Sequence, residues 1–473
     1  MFTSTVHNPK NTQGYLLILV LVFGAVFFTI ISSFTVFIVT QSKLITQRVE
    51  VETAGQIAEA GLNYYKWFLA HYPNNVTNGT GLPGPYVGVY NDPEGAAIGE
   101  YSLSVASTTY CGDLASIRVT SVGNTYNQPN VKKTLSARYA RPTIADYSYI
   151  INSNVWVGAD TQVTGPYHSN GGIRFDGRNN SVVTSGQATW NCDNSYGCSP
   201  TSTQNGVFTT TANPITALFD YPSAPINFAG VTVDLATIKT KAQNNGGQFF
   251  ANSGRLGYHI IFNTNGTYEV RRVNGKQNEP NGYAWGQQMN ILNGTTLVGT
   301  YALNPLCPVI YVEDQVWLEG VVNGKATLAV ANASSNTDNP SIILNNNITY
   351  ANATSGLLAI AEYDILIGLE VPDFMTLNGI FLAQTGHFGR NQYDTSMPNA
   401  WQQYIIRNSL TINGTIVSNG RVGTKWVNSS TGAILSGFNN RYASYDKNLV
   451  ASPPPLIPNT SDDYTFSDWQ DAN

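Results

Sequence analysis

The chain has 473 residues, which is too many for a single small domain. Charged residues make up 11% of it, hydrophobic residues 42%, and the formal net charge is −5. This composition excludes a disordered chain and argues against a helical bundle, and without a basic cluster we expect no nucleic-acid partner.

The first predicted element is a transmembrane helix over residues 15–40. This stretch carries no charged residue and reads YLLILVLVFGAVFFTIISSFTVFIVT. A run of about 20 apolar residues is enough to cross a bilayer as a helix. The Ser and Thr hydroxyls within it can bond back to helix carbonyls, so they do not interrupt the helix.

A polar leader, residues 1–14, ends in Gly14 directly before the apolar run. A secretory signal would place its cleavage site just after the apolar core, whereas the A-x-A pattern of Ala58-Glu59-Ala60 lies far beyond it. The arrangement resembles the type IV prepilin signal. That resemblance implies cleavage by prepilin peptidase between Gly14 and Tyr15, N-methylation of Tyr15 and retention of the apolar helix. A plain, unprocessed membrane anchor is the alternative.

Residues 41–72 are predicted to extend the same helix as an amphipathic segment. Small or apolar residues recur at helical spacing, at Leu44, Val51, Ala54, Ala58, Leu62, Tyr65 and Leu69. A continuous helix from Tyr15 to His71 would be about 85 Å long at 1.5 Å per residue. A long helix, apolar in front and amphipathic behind, resembles the pilin architecture. In that family the front half packs among neighbouring subunits and the back half lies against its own globular domain.

The stretch QIAEAGLNYYKW, residues 56–67, resembles the end of the N-terminal region of PilX-type minor pilins, a resemblance that covers residues 1–72. Major pilins usually carry Glu at the fifth position of the mature chain, which is Leu19 here. In the family that Glu is thought to neutralise a neighbouring subunit's terminal amine, because an unpaired charge in an apolar core is costly. The departure at Leu19 and the chain length imply a minor subunit, tip-located or initiating.

The remainder is predicted to be mainly β. Residues 74–142 form a small β unit, because apolar and polar residues alternate within it. Over residues 143–450 we expect a right-handed parallel β-helix-like head, with a large β-sandwich as the alternative. Asn-rich turns favour the β-helix, since stacked Asn side chains can bond along its axis. The repeated strands are 155–158, 162–165, 172–177, 181–186, 316–320, 326–330, 341–344, 347–350, 365–368, 375–382 and 410–417.

The middle of this region, at about 200–300, departs from the repeat and is interpreted as an insertion beside the stack. Residues 234–242 predict a short helix with Asp234 as its cap. The dipeptide Asn265-Gly266 between two apolar runs predicts a hairpin. Residues 451–473 are predicted to be a Pro-rich, polyproline-like tail.

The sequence provides little for a catalytic or metal site. Cys192 and Cys198 form a candidate disulfide, with two free thiols as the alternative, whereas Cys111 and Cys307 stand isolated. The spacing matches no tetrahedral zinc site, and we expect no cofactor. Two histidines, His168 and His387, each stand alone in a turn and are expected to be structural. Asp364 and Asp373 would fit adjacent strands, but nothing marks them as a catalytic pair.

Six tryptophans lie in the predicted body of the protein. Exposed aromatic side chains can stack on sugar rings or partner proteins, although most aromatic residues are expected in the core. These residues are Trp156, Trp190, Trp285, Trp317, Trp401 and Trp426.

The sequence therefore predicts a structural or adhesive minor subunit of a type IV pilus-like filament. Expected partners are other pilins through the helix, prepilin peptidase, the inner membrane before assembly, and a surface glycan or protein ligand. We expect a membrane-anchored chain with an extracytoplasmic domain, displayed on a cell-surface filament after assembly. The alternatives are a carbohydrate-binding or carbohydrate-cleaving head of a secretion pseudopilus, including a polysaccharide lyase or hydrolase, and an unprocessed surface protein. Tip versus shaft position and the ligand stay open.

Overall fold

The computed structural model describes residues 13–72, 75–211, 215–231, 234–279, 288–332, 340–428, 431–461 and 463–471. This part of the chain is mainly β with a long N-terminal helix. It divides into two compact units. The first contains the described residues of Met1–Ala106, Arg118–Ala137 and Trp469–Asn473, and the second those of Ser107–Ile117 and Arg138–Asp468.

The helices are α1 (Gln13–His71), α2 (Phe228–Val231), α3 (Leu235–Asn244), α4 (Asn399–Gln402) and α5 (Lys447–Ala451), with short 3-10 turns at Ile144–Asp146, Asn194–Tyr196 and Thr216–Leu218. The first strands are β1 (Tyr86–Asn91), β2 (Ala97–Tyr110), β3 (Asp113–Thr125), β4 (Lys132–Ala140), β5 (Tyr149–Ile151), β6 (Val155–Val157), β7 (Thr161–Thr164), β8 (Tyr167–Ser169), β9 (Ile173–Phe175), β10 (Arg178–Asn179) and β11 (Val183–Ser185). They are followed by β12 (Thr189–Cys192), β13 (Ser202–Asn205), β14 (Val207–Phe208), β15 (Phe219–Asp220), β16 (Gln248–Phe250), β17 (Tyr258–Phe262), β18 (Thr267–Val273), β19 (Thr295–Ala302), β20 (Val309–Val312) and β21 (Val316–Val322). The last strands are β22 (Lys325–Val330), β23 (Ile342–Tyr350), β24 (Gly356–Ala361), β25 (Ile365–Ile367), β26 (Phe374–Ala383), β27 (Phe388–Arg390), β28 (Ile406–Ser418), β29 (Lys425–Val427), β30 (Ile434–Ser444) and β31 (Thr465–Asp471).

A small sheet has the strand order β1-β2-β3-β4-β31. Strands β1 and β2 pair antiparallel, with Tyr86 opposite Leu103. Along β3, buried and half-buried residues alternate from Ile117 to Thr125, as expected of a strand with one face on a core. The last strand of the chain, β31, extends the sheet beside β4, so the predicted tail contains regular structure that its Pro-rich sequence did not indicate.

The second unit is dominated by parallel pairing. Strand β20 pairs with β22, β22 with β24, and β24 with β26, while β21 pairs with β23 and β23 with β25. Each strand therefore bonds to the strand two further along the chain. The register aligns one column of buried apolar side chains through successive strands, namely Ile310, Leu328, Ala359, Phe381, Ile416, Tyr149, Tyr167 and Val183.

The order of this ladder differs from the order of the chain. The C-terminal half of β28 pairs with β5, and β30 pairs with β7, so the first strands of the unit lie beside its last ones. At the other end, β16 pairs with β20 and β17 with β21. The interpretation of the whole region at about 200–300 as an insertion is therefore wrong for β16 and β17. Their partners lie some 60 residues further along the chain, too far for a local pattern to reveal.

Two local predictions in the same region are confirmed. Strands β17 and β18 form an antiparallel hairpin around Asn265-Gly266, and Gly266 adopts a φ of +80°, which a side chain would disfavour. Helix α3 is capped by Asp234, whose Oδ1 accepts a hydrogen bond from the Ala236 N–H at 3.0 Å. The turn and the helix cap therefore depend on neighbouring residues only, so they can be predicted without knowing which strands surround them.

Asparagine side chains bond to one another along the ladder, as the Asn-rich turns predict. Asn413 Nδ2 donates to Asn378 Oδ1 at 2.9 Å, and Ser444 Oγ donates to Asn413 Oδ1 at 3.0 Å. In a second series, Asn170 Nδ2 donates to Asn152 Oδ1 at 2.8 Å and Asn152 Nδ2 donates to Asn419 Oδ1 at 2.9 Å. These bonds join residues that lie on, or directly after, different strands, and each bond satisfies one side-chain donor and one amide oxygen.

The proline-rich segment packs on the second unit. Pro453, Pro454 and Pro455 are buried, and Thr327 Oγ1 donates to the Pro455 carbonyl at 2.6 Å. Because proline has no N–H, the segment offers only carbonyls for bonding, and a threonine hydroxyl of β22 meets one of them. The predicted Pro-rich tail therefore lies against the second unit at these residues.

Candidate functional site in the N-terminal helix

The front half of α1, residues 15–49, exposes its apolar side chains. Helix α1 has 59 residues, which corresponds to about 89 Å at 1.5 Å per residue. The large apolar side chains of the front half are between 47% and 78% exposed, with Tyr15 the most exposed at 78%. Among the residues that the structure describes, α1 is one helix that is long and apolar enough to cross a membrane, and none of its most apolar stretch is buried.

Hydroxyl groups in the front half are satisfied within the helix itself. Thr29 Oγ1 donates to the Val26 carbonyl at 2.7 Å, and Ser33, Thr35 and Thr40 donate to carbonyls four residues earlier at 2.8 to 2.9 Å. An unpaired hydroxyl in hydrocarbon costs free energy, so this bonding removes an obstacle to burying the front half in an apolar environment.

The back half of α1, residues 50–71, packs on the small sheet. Its buried face comprises Ala54, Ile57, Ala58, Leu62, Tyr65, Phe68 and Leu69. The first buried residue is Glu50, whose carboxylate accepts a hydrogen bond from Thr125 Oγ1 of β3. The change from exposed to buried thus occurs within one turn of a continuous helix.

Close approach between the back half and the sheet depends on glycine. A Cβ placed on Gly123 of β3 would meet the backbone of α1, with Ala58 N only 2.5 Å away. A Cβ on Gly61 of α1 would lie 2.9 Å from the Tyr101 ring. Glycine on both surfaces lets the helix lie directly on the strands.

The apolar face predicted for residues 41–72 does pack on the sheet over most of this segment, but the first residues of the segment make no such contact. Leu44 is 50% exposed and Val51 is half-buried, so contact with the sheet begins at Glu50 and not at residue 41. Helical spacing shows which face is apolar, but it carries no information on where the partner sheet ends.

The predicted processing site lies at the start of α1. The helix begins at Gln13, so the peptide bond between Gly14 and Tyr15 is within its first turn. Leader residues 1–12 lie outside the described residues. Leu19 is 47% exposed among apolar neighbours. Cleavage after Gly14 and methylation of Tyr15 stay predictions.

All four cysteines are paired. Cys192 and Cys198 are joined by a disulfide that closes the short turn Asn194–Tyr196. Cys111 and Cys307, which looked isolated in the sequence, form a second disulfide across a separation of 196 residues. A spacing of that size carries no local signal, so only the fold reveals the pair.

The two candidate histidines have different environments. His168 is buried, with Nδ1 2.8 Å from Thr184 Oγ1 and Nε2 2.9 Å from Asn170 Oδ1, and burial lowers its pKa. That environment is structural. His387 is partly exposed, and its Nδ1 lies 2.8 Å from Oδ1 of the buried Asp364. The view of His387 as a lone residue is therefore wrong, because parallel pairing of β25 with β27 brings the two residues together.

The predicted tryptophans divide between core and surface. Trp317 is buried and donates its Nε1 hydrogen to the Asn290 carbonyl at 2.8 Å, and Trp190 is also buried. Trp156 and Trp401 are half-buried, Trp426 is 37% exposed, and Trp285 lies outside the described residues. Within the described ranges, no cluster of three or more His, Cys, Asp or Glu side chains is arranged to hold a metal ion.

The chain has little detectable similarity to known proteins. No family model matches it, and no curated protein matches it. Among solved structures it is similar to the competence-associated pilin ComZ from Thermus thermophilus, at 11% sequence identity, over 89% of this chain and 97% of that chain. The TM-score is 0.33, and a likeness at this level carries no inference about function.

Proposed function

We propose that this protein is a subunit of a type IV pilus-like filament, held first in a membrane and then in the filament by the front half of α1. The observation that carries this proposal is the abrupt change along one helix, from exposed apolar side chains before Glu50 to a packed face after it. An apolar surface of this extent requires cover by lipid or by other apolar helices. The back half needs neither, because its own sheet covers it.

The subunit is a minor one, at the tip or at initiation, and resembles the PilX type. Leu19 supports this role, since it offers no carboxylate to pair with the terminal amine of an adjacent subunit. A bulk subunit would need that pairing in every repeat, because an unpaired charge in an apolar core is costly. A chain of 473 residues is also larger than a bulk subunit usually is.

The second unit forms the head, which we interpret as a right-handed parallel β-helix. Support comes from parallel pairing between strands two apart, from the aligned buried column, and from the Asn series of β26, β28 and β30. A β-sandwich would instead join neighbouring strands in antiparallel hairpins. The head serves in adhesion or in priming assembly, and we assign it no catalytic role.

The head lies on the extracytoplasmic side of the membrane. Two disulfides support this location, because such bonds persist in oxidising compartments and are rare in the cytosol. In this arrangement the leader faces the cytoplasm, where prepilin peptidase acts. Assembly then moves the chain from the inner membrane to a filament on the cell surface.

The test is the N-terminus of the mature protein, determined by mass spectrometry of native material. We expect a chain that begins at methylated Tyr15 and is incorporated into filaments. Gly14→Leu should block processing and incorporation. Gly24→Leu is the matched control for processing, because it makes the same substitution in the same helix ten residues beyond the predicted cleavage site. A mature chain that begins at Met1, or that lacks the front half of α1, would contradict the proposal.

Cleavage of polysaccharides by the head is the second candidate function, favoured by the His387–Asp364 pair. An imidazole held by a buried carboxylate is a common form of general base. If the wild type releases shortened saccharides and His387→Gln does not, the head is catalytic. A secretion pseudopilus instead of a pilus stays an alternative setting for the same helix.

A further inference from the structure

A cleft of 680 Å³ opens on the second unit, and its walls combine aromatic and cationic side chains. Its volume falls within the range of about 300 to 1,000 Å³ that is typical of small-ligand sites. The residues that matter for its chemistry are Trp156, Asp160, Arg421, Lys425, Trp426 and Arg441.

The two tryptophans offer the cleft apolar ring surface. Trp426 Nε1 donates to the Arg390 carbonyl at 3.1 Å, and Trp156 Nε1 donates to Asp176 Oδ2 at 2.9 Å. The guanidinium of Arg174 lies 4.2 Å from the centre of the Trp156 ring and holds it in place. Since both indole N–H groups are already bonded within the protein, the rings can add only apolar contact to a ligand, in fixed orientations.

Two of the three cations in the cleft share one carboxylate partner. Arg441 forms two hydrogen bonds to the Asp160 carboxylate, at 3.0 and 2.9 Å, and Lys425 Nζ lies 3.2 Å from the same group. Burial alone would raise the pKa of Asp160, but the two cations outweigh it and lower that pKa. Asp160 therefore remains ionised and occupied by its partners.

Arg421 is the third cation of the cleft. Its guanidinium lies 4.5 Å from the centre of the Tyr196 ring, and it makes no ion pair within the described residues. Burial lowers its pKa, although the Tyr196 phenol and the Asp193 carboxylate act in the opposite direction, so holding this charge partly away from water costs free energy. A planar guanidinium in such a position is suited to bind a carboxylate through two parallel hydrogen bonds.

We propose that the cleft binds an acidic sugar residue of a polysaccharide, a hexuronate, with its carboxylate on Arg421 and its ring on the indole of Trp426. A pyranose ring has an apolar face bearing C–H groups that fits an indole, whereas an acidic peptide side chain has a carboxylate but no such ring. Nε2 of His387 at the cleft, with Nδ1 on Asp364, provides a further polar group for sugar hydroxyls. This site does not depend on the filament proposed above.

The test is isothermal titration of the full-length protein in detergent micelles with tetragalacturonate. Arg421→Gln should weaken binding by at least about tenfold, as expected for loss of a charge-assisted hydrogen bond. Arg178→Gln, at an exposed arginine outside the cleft, should leave it unchanged. Trp426→Ala should weaken binding about tenfold and Trp426→Phe much less. Both tryptophan variants lose the hydrogen bond to the Arg390 carbonyl. The difference between their affinities therefore reports the contribution of the aromatic ring alone.

Two ligand controls separate the alternatives. The methyl ester of tetragalacturonate should bind at least about tenfold more weakly, because the ester removes the charge that Arg421 recognises. Hexaglutamate should not compete with tetragalacturonate. Equal binding of the acid and its ester, equal affinity of Arg421→Gln and Arg178→Gln, or competition by hexaglutamate would each overturn the proposal.

Discussion

The front half of α1 and the ladder of the second unit are both rich in large apolar side chains, yet they occupy opposite environments. In the front half these side chains are at least 47% exposed, whereas along the aligned column from Ile310 to Val183 they are 8% exposed or less. The ladder supplies its own cover, because each strand of the aligned column lies between two others. The helix has no such neighbours within the chain. Equal apolarity therefore marks an internal core in one region and a surface that requires an external partner in the other.

The largest expected effect comes from truncating the same residue type in both regions. Phe381→Ala should lower the free energy of unfolding of the second unit by about 4 kcal/mol, because it leaves a cavity in the buried column. Phe28→Ala, at a side chain that is 73% exposed, should change it by less than about 0.5 kcal/mol. Denaturant unfolding of the full chain in micelles, followed by tryptophan fluorescence, measures both. Comparable losses in the two variants would remove the contrast between the regions.

A charge in the front half should produce the next largest effect, on membrane insertion and not on folding of the head. Phe28→Asp places a carboxylate near the middle of the apolar run and should disfavour insertion by about 3 kcal/mol. Phe28→Leu is the control, because it keeps an apolar side chain at the same position. The measurement is the inserted fraction after synthesis in the presence of membrane vesicles. Unchanged insertion of Phe28→Asp would show that this surface does not meet lipid.

The smallest of the three effects concerns the boundary within α1. Gly123→Ala should destabilise packing of the back half by about 2 kcal/mol, because the added methyl group collides with the α1 backbone. Gly24→Ala should not destabilise the helix, since a Cβ there has open space around it. Hydrogen exchange of the amides from Ala54 to Leu69 reports the change. Unaltered protection in Gly123→Ala would mean that the sheet does not hold the helix closely.

Much of the helix could be predicted from the sequence, because the signals are local. An uncharged run over residues 15–40 and a helical stripe through Ala54, Ala58 and Leu62 are sufficient to predict one long helix with two kinds of surface. The turn at Asn265-Gly266 and the cap at Asp234 were predictable for the same reason, since each depends on neighbouring residues.

The ladder and the candidate cleft could be predicted only in part. Short apolar strands indicate repeated pairing, but they do not identify the partner of each strand. The sequence therefore predicts an insertion where β16 and β17 in fact pair with the ladder. His387 meets Asp364, and Cys111 meets Cys307, only through contacts between distant segments. The cleft likewise joins Trp156 with Trp426, which are remote in the sequence. Such proximity is set by register and packing across many strands, which local patterns do not encode.

The pairing of β5 with β28 has a consequence for how the protein is made. Thr415 Oγ1 donates to the Tyr147 carbonyl across 268 residues. A ribosome therefore releases one side of this contact long before it synthesises the other. Until then β5 and β7 each leave one strand edge open, which invites pairing with other chains. Completion of the second unit must wait for its final strands, and such distant contacts make that step slow. A chaperone that shields these early segments would be of direct use to the nascent polypeptide.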